Sequence, residues 1–398
     1  VSTMTRPVTG VASATASAGK GSRRRFGLGR LALACAALLA LISLVLPAGI
    51  GRGPLAVAFW PSVVVFAAAV VLGRLALRGR RSPGLVGAGL IAALALAATN
   101  LWILKAAALE GIAGPGFWAL VLAAWLGASA MVADLTHVAL RSAVARRAAA
   151  LAVPLLFGLY LFFLWEVIVR GFGVPSVLMP APSAIALRFG GALPTLWQDF
   201  VQTFVRGVLS GYIIGNGAGF LVAIVADRVP FLRRGLLPLG NFVAALPIIG
   251  IAPIMVMWFG FDWPSKAAVV VVVTFFPMLV NTVAGLAAAG PLERDLMRSY
   301  AASYGQTLLK LRLPAALPFI FNALKINSTL ALIGAIVAEF FGTPIVGMGF
   351  RISVEAGRMA LDMVWAEIAL AAIAGTAFYG ILALIERAAT FWHPSFRS

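Results

Sequence analysis

Charged side chains are scarce in this chain of 398 residues: 11% are Asp, Glu, Lys or Arg, against 62% hydrophobic residues and a mean hydropathy of +1.01. Soluble domains carry about 25% charged and about 45–50% apolar residues. So few polar side chains cannot cover a water-facing surface, which excludes a soluble globular enzyme, a disordered tail protein and a disulfide scaffold. The single cysteine, Cys35, excludes an intrachain disulfide. In its apolar run it reads as a small buried hydrophobe. Only two histidines occur, His137 and His393, and neither has partners at ligand spacing, so no metal site is expected. No H-E-x-x-H motif and no G-x-x-x-x-G-K-[ST] phosphate loop exists; the Gly19-Lys20 pair lacks the spacing. The chain therefore reads as a non-enzyme that binds no cofactor of its own.

What the sequence does contain is long apolar runs. A bilayer crossing needs roughly 20 such residues. The runs are Leu31–Ala48, Pro54–Gly73, Gly84–Leu104, Gly116–Ala133, Ala149–Val169, Phe200–Ala226, Leu236–Gly260, Lys266–Ala289, Phe319–Phe341 and Trp365–Thr390. Only helices and closed barrels satisfy the backbone in lipid, and no barrel alternation is present. The fold class is all-α polytopic membrane protein, with about ten transmembrane helices.

Acids are the scarcer sign, 13 against 31 basic residues, for a net charge of +18. The excess sorts by side. Clusters such as Arg23–Arg25, Arg74–Arg81, Arg141–Arg147, Arg228–Arg234 and Arg294–Arg312 fall on alternate loops, while the other loops hold few, among them Arg52, Lys105, Lys266 and Arg351. By the positive-inside rule both termini are cytoplasmic, and nucleic-acid binding is not needed to explain the charge. Residues 1–30 read as a basic disordered cytoplasmic tail, 31–133 as a four-span extension, 134–148 as a basic cytoplasmic linker, and 149–398 as a six-span core.

The cytoplasmic connection 290–318 is amphipathic. Leu292, Leu296, Tyr300 and Tyr304 recur every four residues, and Leu308, Leu309, Leu311 and Leu313 follow with Arg298, Lys310 and Arg312 interspersed. Such a stripe needs a cover, either the bilayer surface or a groove on a cytoplasmic partner.

Anchored on Leu313-Pro314, this loop resembles the Glu-Ala-Ala-x3-Gly-x9-Ile-x-Leu-Pro loop of ATP-binding-cassette importer permeases. Asp295 takes the Glu position, Leu296 and Met297 the two Ala positions, Ala301 the Gly position and Leu311 the Ile position. Three further segments resemble the nitrate/sulfonate/taurine type of these permeases. They are Pro175 to Ser183, Leu246 to Pro253 ending at Trp258-Phe259-Gly260, and Ala338 to Gly342 followed by Gly347-Met348-Gly349. The resemblance covers roughly residues 150–395. Residues 31–133 match no segment of the pattern.

The resemblance implies a permease of the bacterial inner membrane that forms a translocation path with a second permease copy. Its partners would be two cytoplasmic ATPase subunits, which use ATP and Mg, and an extracytoplasmic binding protein. The helix carrying Asp295, Leu296, Met297, Arg298, Tyr300 and Ala301, with Tyr304, Leu308, Leu311, Leu313 and Pro314 after it, would couple to the ATPase. The substrate would be a small solute such as nitrate, a sulfonate, taurine, bicarbonate, a thiamine pyrimidine or riboflavin, with the aromatic core favouring a flat heterocycle.

Polar groups at membrane depth are functional candidates. Pro247 and Pro253 break backbone hydrogen bonds, and with Met255, Trp258, Asn241, Asn281 and Glu339 they are the candidates for the path. Glu339 equally suits pinning a broken helix end. Asn322 and Asn327 suit helix-to-helix hydrogen bonds, Glu166 beside Trp165 suits an interfacial anchor, and Arg206 suits snorkelling. Gly207, Gly211, Gly215 and Gly219 form one flat helix face. The alternative reading, an ion-coupled secondary transporter, would rest on Glu166 and Glu339.

Overall fold

The computed structural model describes residues 12–51, 53–54, 59–77, 82–106, 108–137, 142–244, 246–342 and 345–392. Among these, eight helices are long and apolar enough to cross a membrane, and two shorter apolar helices, Pro61–Leu77 and Ile248–Phe259, fall in the remaining expected spans. The chain is an all-α multi-pass membrane protein. It divides into two compact units, residues 1–183 and 184–398.

The first unit contains α1 (Ala12–Val45), α2 (Phe59–Leu77), α3 (Pro83–Ala106), α4 (Pro115–Leu135) and α5 (Ala143–Gly171). Its core is built from Leu33, Ala36, Leu72, Leu96, Phe117, Leu120 and Met131, interleaved with buried alanines that let the helices approach closely. Cys35 lies on the exposed side of α1, not in the core. A period of one helical turn places Leu33, Ala36 and Ala40 inward and leaves Cys35 facing outward. Helix α1 starts at Ala12, within the segment read as a tail, and its apolar span is Leu28–Val45. The linker 134–148 is not the unit boundary either, because α5 belongs to the first unit. The Tyr160 hydroxyl on α5 lies 3.1 Å from the Ala93 carbonyl and 3.2 Å from that of Ala124, one donor shared between α3 and α4.

Glu166 is a buried clamp in place of the expected interfacial anchor. Its carboxylate accepts from the Ser183 N–H (2.8 Å) and hydroxyl (2.6 Å), and Arg170 Nε sits 2.6 Å away. Ser183 lies in the first turn of α6 (Pro182–Gly191), where unpaired amides favour an anion.

The second unit continues with α7 (Leu193–Phe200), a π-helical stretch at Val201–Leu209, α8 (Ser210–Arg228), α9 (Pro230–Ala244), α10 (Ile248–Phe259) and α11 (Trp263–Ala287). The short helices α12 (Pro291–Ser299) and α13 (Tyr304–Thr307) and a π turn at Leu308–Arg312 lead into α14 (Leu313–Glu339), then α15 (Met348–Gly357) and α16 (Leu361–Ala389). The seventh expected span, Leu236–Gly260, is not one helix. It is interrupted at Leu246-Pro247, and Pro247 caps α10 with extended backbone. Pro253, by contrast, is carried inside α10 without ending it.

The glycine face of α8 presses on α11. A methyl added at Gly211 would lie 2.5 Å from the Ala267 carbonyl oxygen, and one at Gly219 would lie 2.5 Å from that of Phe275. Only glycine permits that approach.

Candidate functional site

The loop at residues 290–318 is built by helix-ending chemistry. Helix α12 starts with Pro291 in its first turn and Glu293 near its positive end. It stops in a two-bond cap, with Ala301 N–H donating to the Arg298 carbonyl (2.9 Å) and Ala302 N–H to that of Met297 (3.0 Å). That cap puts the residue after the helix in the left-handed region, and Ala301 has φ +49°. The position is where the family pattern carries glycine. The turn forms with alanine all the same, at a cost of about 1 kcal/mol. Ala301→Gly is expected to raise stability by about 0.5–1 kcal/mol, read as a higher melting temperature in detergent. A lower one would contradict the cap.

The apolar stripe of this loop is divided. Helix α12 buries none of its residues in the chain. Leu292, Leu296 and Tyr300 are 80%, 55% and 77% exposed. Asp295 and Arg298 pair at 3.3 Å on the exposed side, and Met297 is half-buried. Tyr304 does not continue the stripe: it lies beyond the turn, and its hydroxyl donates to Asp227 Oδ2 (3.1 Å). Leu308 is buried with Leu286 and Ala316, and Leu313 packs against the same cluster. Leu311 and Pro314 are half-buried as well. The exposed surface therefore lies mostly on α12, while Leu308, Leu311 and Leu313 hold the loop to the spans and Leu309 stays exposed.

In the bundle interior, a polar layer joins three helices. Asn327 Nδ2 on α14 donates to Asn216 Oδ1 on α8 (2.6 Å) and to the Thr274 carbonyl on α11 (2.7 Å). Asn216 returns a bond to the Tyr212 carbonyl (2.8 Å), and the Tyr212 hydroxyl donates to that of Leu324 (2.8 Å). Asn322 Nδ2 reaches Asn281 Oδ1 at 3.4 Å, and Asn281 itself donates to the Pro277 carbonyl (2.8 Å). Asn216 and Tyr212 carry no local signal in the sequence beyond the glycine face on which they sit.

The other path candidates lie apart from these groups. Met255 packs on Ala252, Val269 and Ala338, whereas Trp258 is 71% exposed. Pro247 is exposed and Pro253 half-buried. The Asn241 side chain lies outside the described residues.

Glu339 belongs to a second cluster at the other end of α14. Its carboxylate accepts from Thr203 Oγ1 (2.8 and 3.0 Å to the two oxygens) and from the Gly349 N–H (2.8 Å). Thr203 Oγ1 in turn accepts from the Met348 N–H (2.8 Å). Asp199 Oδ1 accepts from the Gly347 N–H (2.6 Å), and Asp199 Oδ2 from Arg351 Nε (2.9 Å). The three amides that open α15 thus each have an acceptor from this cluster. This explains the Gly347-Met348-Gly349 motif. Gly347 has φ +139°, and a methyl there would lie 2.6 Å from the Glu339 carboxylate. The Asp199 carboxylate bound to Arg351 raises the guanidinium pKa above its ordinary value.

Lys266, read as one of the few charges on the sparse side, is buried. Its Nζ donates to the carbonyls of Phe261 (2.6 Å) and Gly342. Next to it, Asp262 caps α11. The Trp263 N–H first, and the Gln202 amide second, hold its carboxyl below the ordinary carboxylate range. Arg206 is exposed and donates to Gln202 Oε1 (3.2 Å). Gln202, Thr203 and Arg206 all fall in the π-helical stretch, a geometry that recurs at functional positions. Asp199 and Thr203 stand one turn apart; that spacing was visible in the sequence, but their partners are about 140 residues away.

Residues 215–391 match the family described as binding-protein-dependent transport system inner membrane component. The riboflavin transport system permease protein RibX of Chloroflexus aurantiacus is 29% identical over 248 residues, covering 62% of this chain and 91% of the relative. A probable ABC transporter permease protein of Haemophilus influenzae is 30% identical, covering 54% of this chain and 87% of the relative. The formylaminopyrimidine transport permease protein ThiX of Halalkalibacterium halodurans is 33% identical, covering 48% and 75%.

Proposed function

The chain belongs to the family of binding-protein-dependent transport system inner membrane components, and from that premise we propose how it imports and what it imports. It is the permease subunit of an ATP-binding-cassette import system; ATP hydrolysis resides in a partner subunit. In our reading two copies of the second unit face each other around a dyad and enclose the path. Each offers the exposed face of α12 to one of two ATPase subunits, which bind the ATP and Mg. An extracytoplasmic binding protein delivers the solute to the opposite mouth. The distribution of arginine over alternate loops supports cytoplasmic termini.

The substrate class we favour is a flat, uncharged heterocycle. The observation that carries it is the chemistry left open along the core. Helix α10 has no charged residue. The exposed stripe of α14 is Phe319, Asn322, Ile326, Thr329 and Ile333, with Asn322 joined to Asn281. Amides and aromatic faces suit a ring with hydrogen-bonding edges, as in riboflavin or a pyrimidine, and offer a small anion no counter-charge. The acids an ion-coupled transporter would need, Glu166 and Glu339, are both engaged by donors of this chain.

The test is ATP hydrolysis by the purified chain with its ATPase and binding protein in nanodiscs. Riboflavin or formylaminopyrimidine is expected to raise the rate about tenfold, equivalent to about 1.4 kcal/mol, with no response to an alkanesulfonate or to bicarbonate. Stimulation by the anions alone would overturn the substrate class.

A further inference from the structure

Docking on α12 moves solute only if displacement of that helix reaches the spans. Among the described residues α12 meets the spans directly where Arg294 donates to the Ala287 carbonyl at the end of α11 (2.5 Å), and a larger junction that joins three helices follows it in the chain. Helix α8 ends at Asp227-Arg228, α11 ends at Ala287, and the helical run into α14 begins at Tyr304. The Arg312 guanidinium joins all three. Its two terminal nitrogens donate to the two oxygens of Asp227, each at 2.6 Å, and its Nε donates to the Leu286 carbonyl at 3.0 Å. Tyr304 adds its hydroxyl to Asp227 Oδ2 (3.1 Å), and the Arg228 guanidinium lies 5.1 Å from the Tyr304 ring centre. The Asp227 side chain is 4% exposed and that of Arg312 16%.

A forked, two-point pair of this kind fixes angle as well as distance. The partial burial of its members sets it apart from an exposed ion pair, whose worth is small. Of the clamp residues Tyr304 comes first after the left-handed turn at Ala301, separated from α12 by the short link at residues 300–303, and Arg312 follows in the same helical run.

We propose that Asp227 is a positioning residue for transport: through Arg312 and Tyr304 it locks the cytoplasmic ends of α8, α11 and α14 into one body that moves with the coupling loop. Resting on the docking reading above, it adds the route by which docking becomes movement. The glycine face of α8 on α11 carries the same rigid body further along the helices.

The test uses the full chain in complex with its ATPase, in nanodiscs, with spin labels at Val225→Cys and Leu309→Cys in a Cys35→Ser background. Both label positions are exposed, on α8 and in the π turn that leads into α14. The readout is the inter-label distance distribution without nucleotide and after trapping with ATP and vanadate. With Asp227 intact the distribution is expected to be narrow and the same in both states. In Asp227→Asn it broadens without nucleotide and shifts on trapping, while the ATPase still co-purifies and hydrolysis stays within about threefold, or about 0.7 kcal/mol. Asp227→Glu restores the narrow distribution.

An Asp227→Asn distribution as narrow and as unchanging as the native one would overturn the proposal. So would loss of the bound ATPase together with loss of the monodisperse chain, because the pair would then serve folding alone; Arg312→Lys, which keeps a charge but not the fork, guards that outcome. A native chain that brings down no ATPase refutes the docking reading instead, and the nucleotide-free comparison of native and Asp227→Asn still decides the clamp.

Discussion

Replacing Asp199 by alanine is expected to cost about 3–5 kcal/mol, the range for removing one member of a buried, hydrogen-bonded charge pair. The side chain is fully buried, and two donors depend on it, the Gly347 N–H and the Arg351 guanidinium. Alanine leaves the first without an acceptor and takes from the second its hydrogen-bonded carboxylate, with only the fields of Glu367 and Glu355 remaining. Both belong to α15 and its cap, so the loss is local before it is global. The segment around Gly347–Gly357 should become cleavable in limited proteolysis, and the melting temperature in detergent should fall. Glu339→Gln is milder, since one oxygen remains for the donors from Thr203 and Gly349; about 1–3 kcal/mol is the scale for one unsatisfied buried group. An Asp199→Ala chain with unchanged melting and unchanged cleavage would show that α15 is held by packing alone.

The second large effect is expected at α12, where the chain leaves apolar surface without using it. Leu292, Leu296 and Tyr300 stand on one side of α12, and no residue of that helix is buried in the chain. Leu296→Asp therefore takes little from the fold of the chain itself, because Leu296 is 55% exposed. It places a carboxylate at the centre of the surface we assign to the ATPase groove. Truncating a central interface residue costs about 2–4 kcal/mol. A buried charge there has no partner to offset it, which puts the loss of affinity at about a hundredfold or more, or about 2.7 kcal/mol.

The spans were legible in the sequence because lipid demands a continuous apolar run and leaves little else to interpret. At Asp295–Pro314 the structure has a helix ending at Ser299 and a left-handed turn at Ala301, features of local register. A local reading misjudged Tyr304. A four-residue spacing extends the stripe through it on paper, but α12 ends in the turn at Ala301 and a new helix begins at Tyr304, which faces Asp227. The expected continuous span at Leu236–Gly260 failed for a related reason. Hydropathy counts side chains, whereas the break at Leu246-Pro247 is a matter of backbone hydrogen bonds.

The cluster of Asp199, Thr203, Glu339 and Arg351 was the least visible part. Each residue has an ordinary local explanation, as an interfacial acid, a helix hydroxyl, a helix-end acid or a flanking charge. Their meaning lies in contacts across about 140 residues of chain. The Gly347-Met348-Gly349 motif was recognised by resemblance, and only the structure gives its reason: three amides that meet two carboxylates and a hydroxyl.

The central claim is that this chain works through an ATPase docked on α12. Co-purification from detergent measures it directly, comparing the native chain with Leu296→Asp at matched expression. The account predicts an ATPase carrying a phosphate loop bound to the native chain, and its loss from Leu296→Asp while that variant stays monodisperse with an unchanged melting temperature. Equal recovery of the ATPase with both chains, or none with the native one, would contradict it.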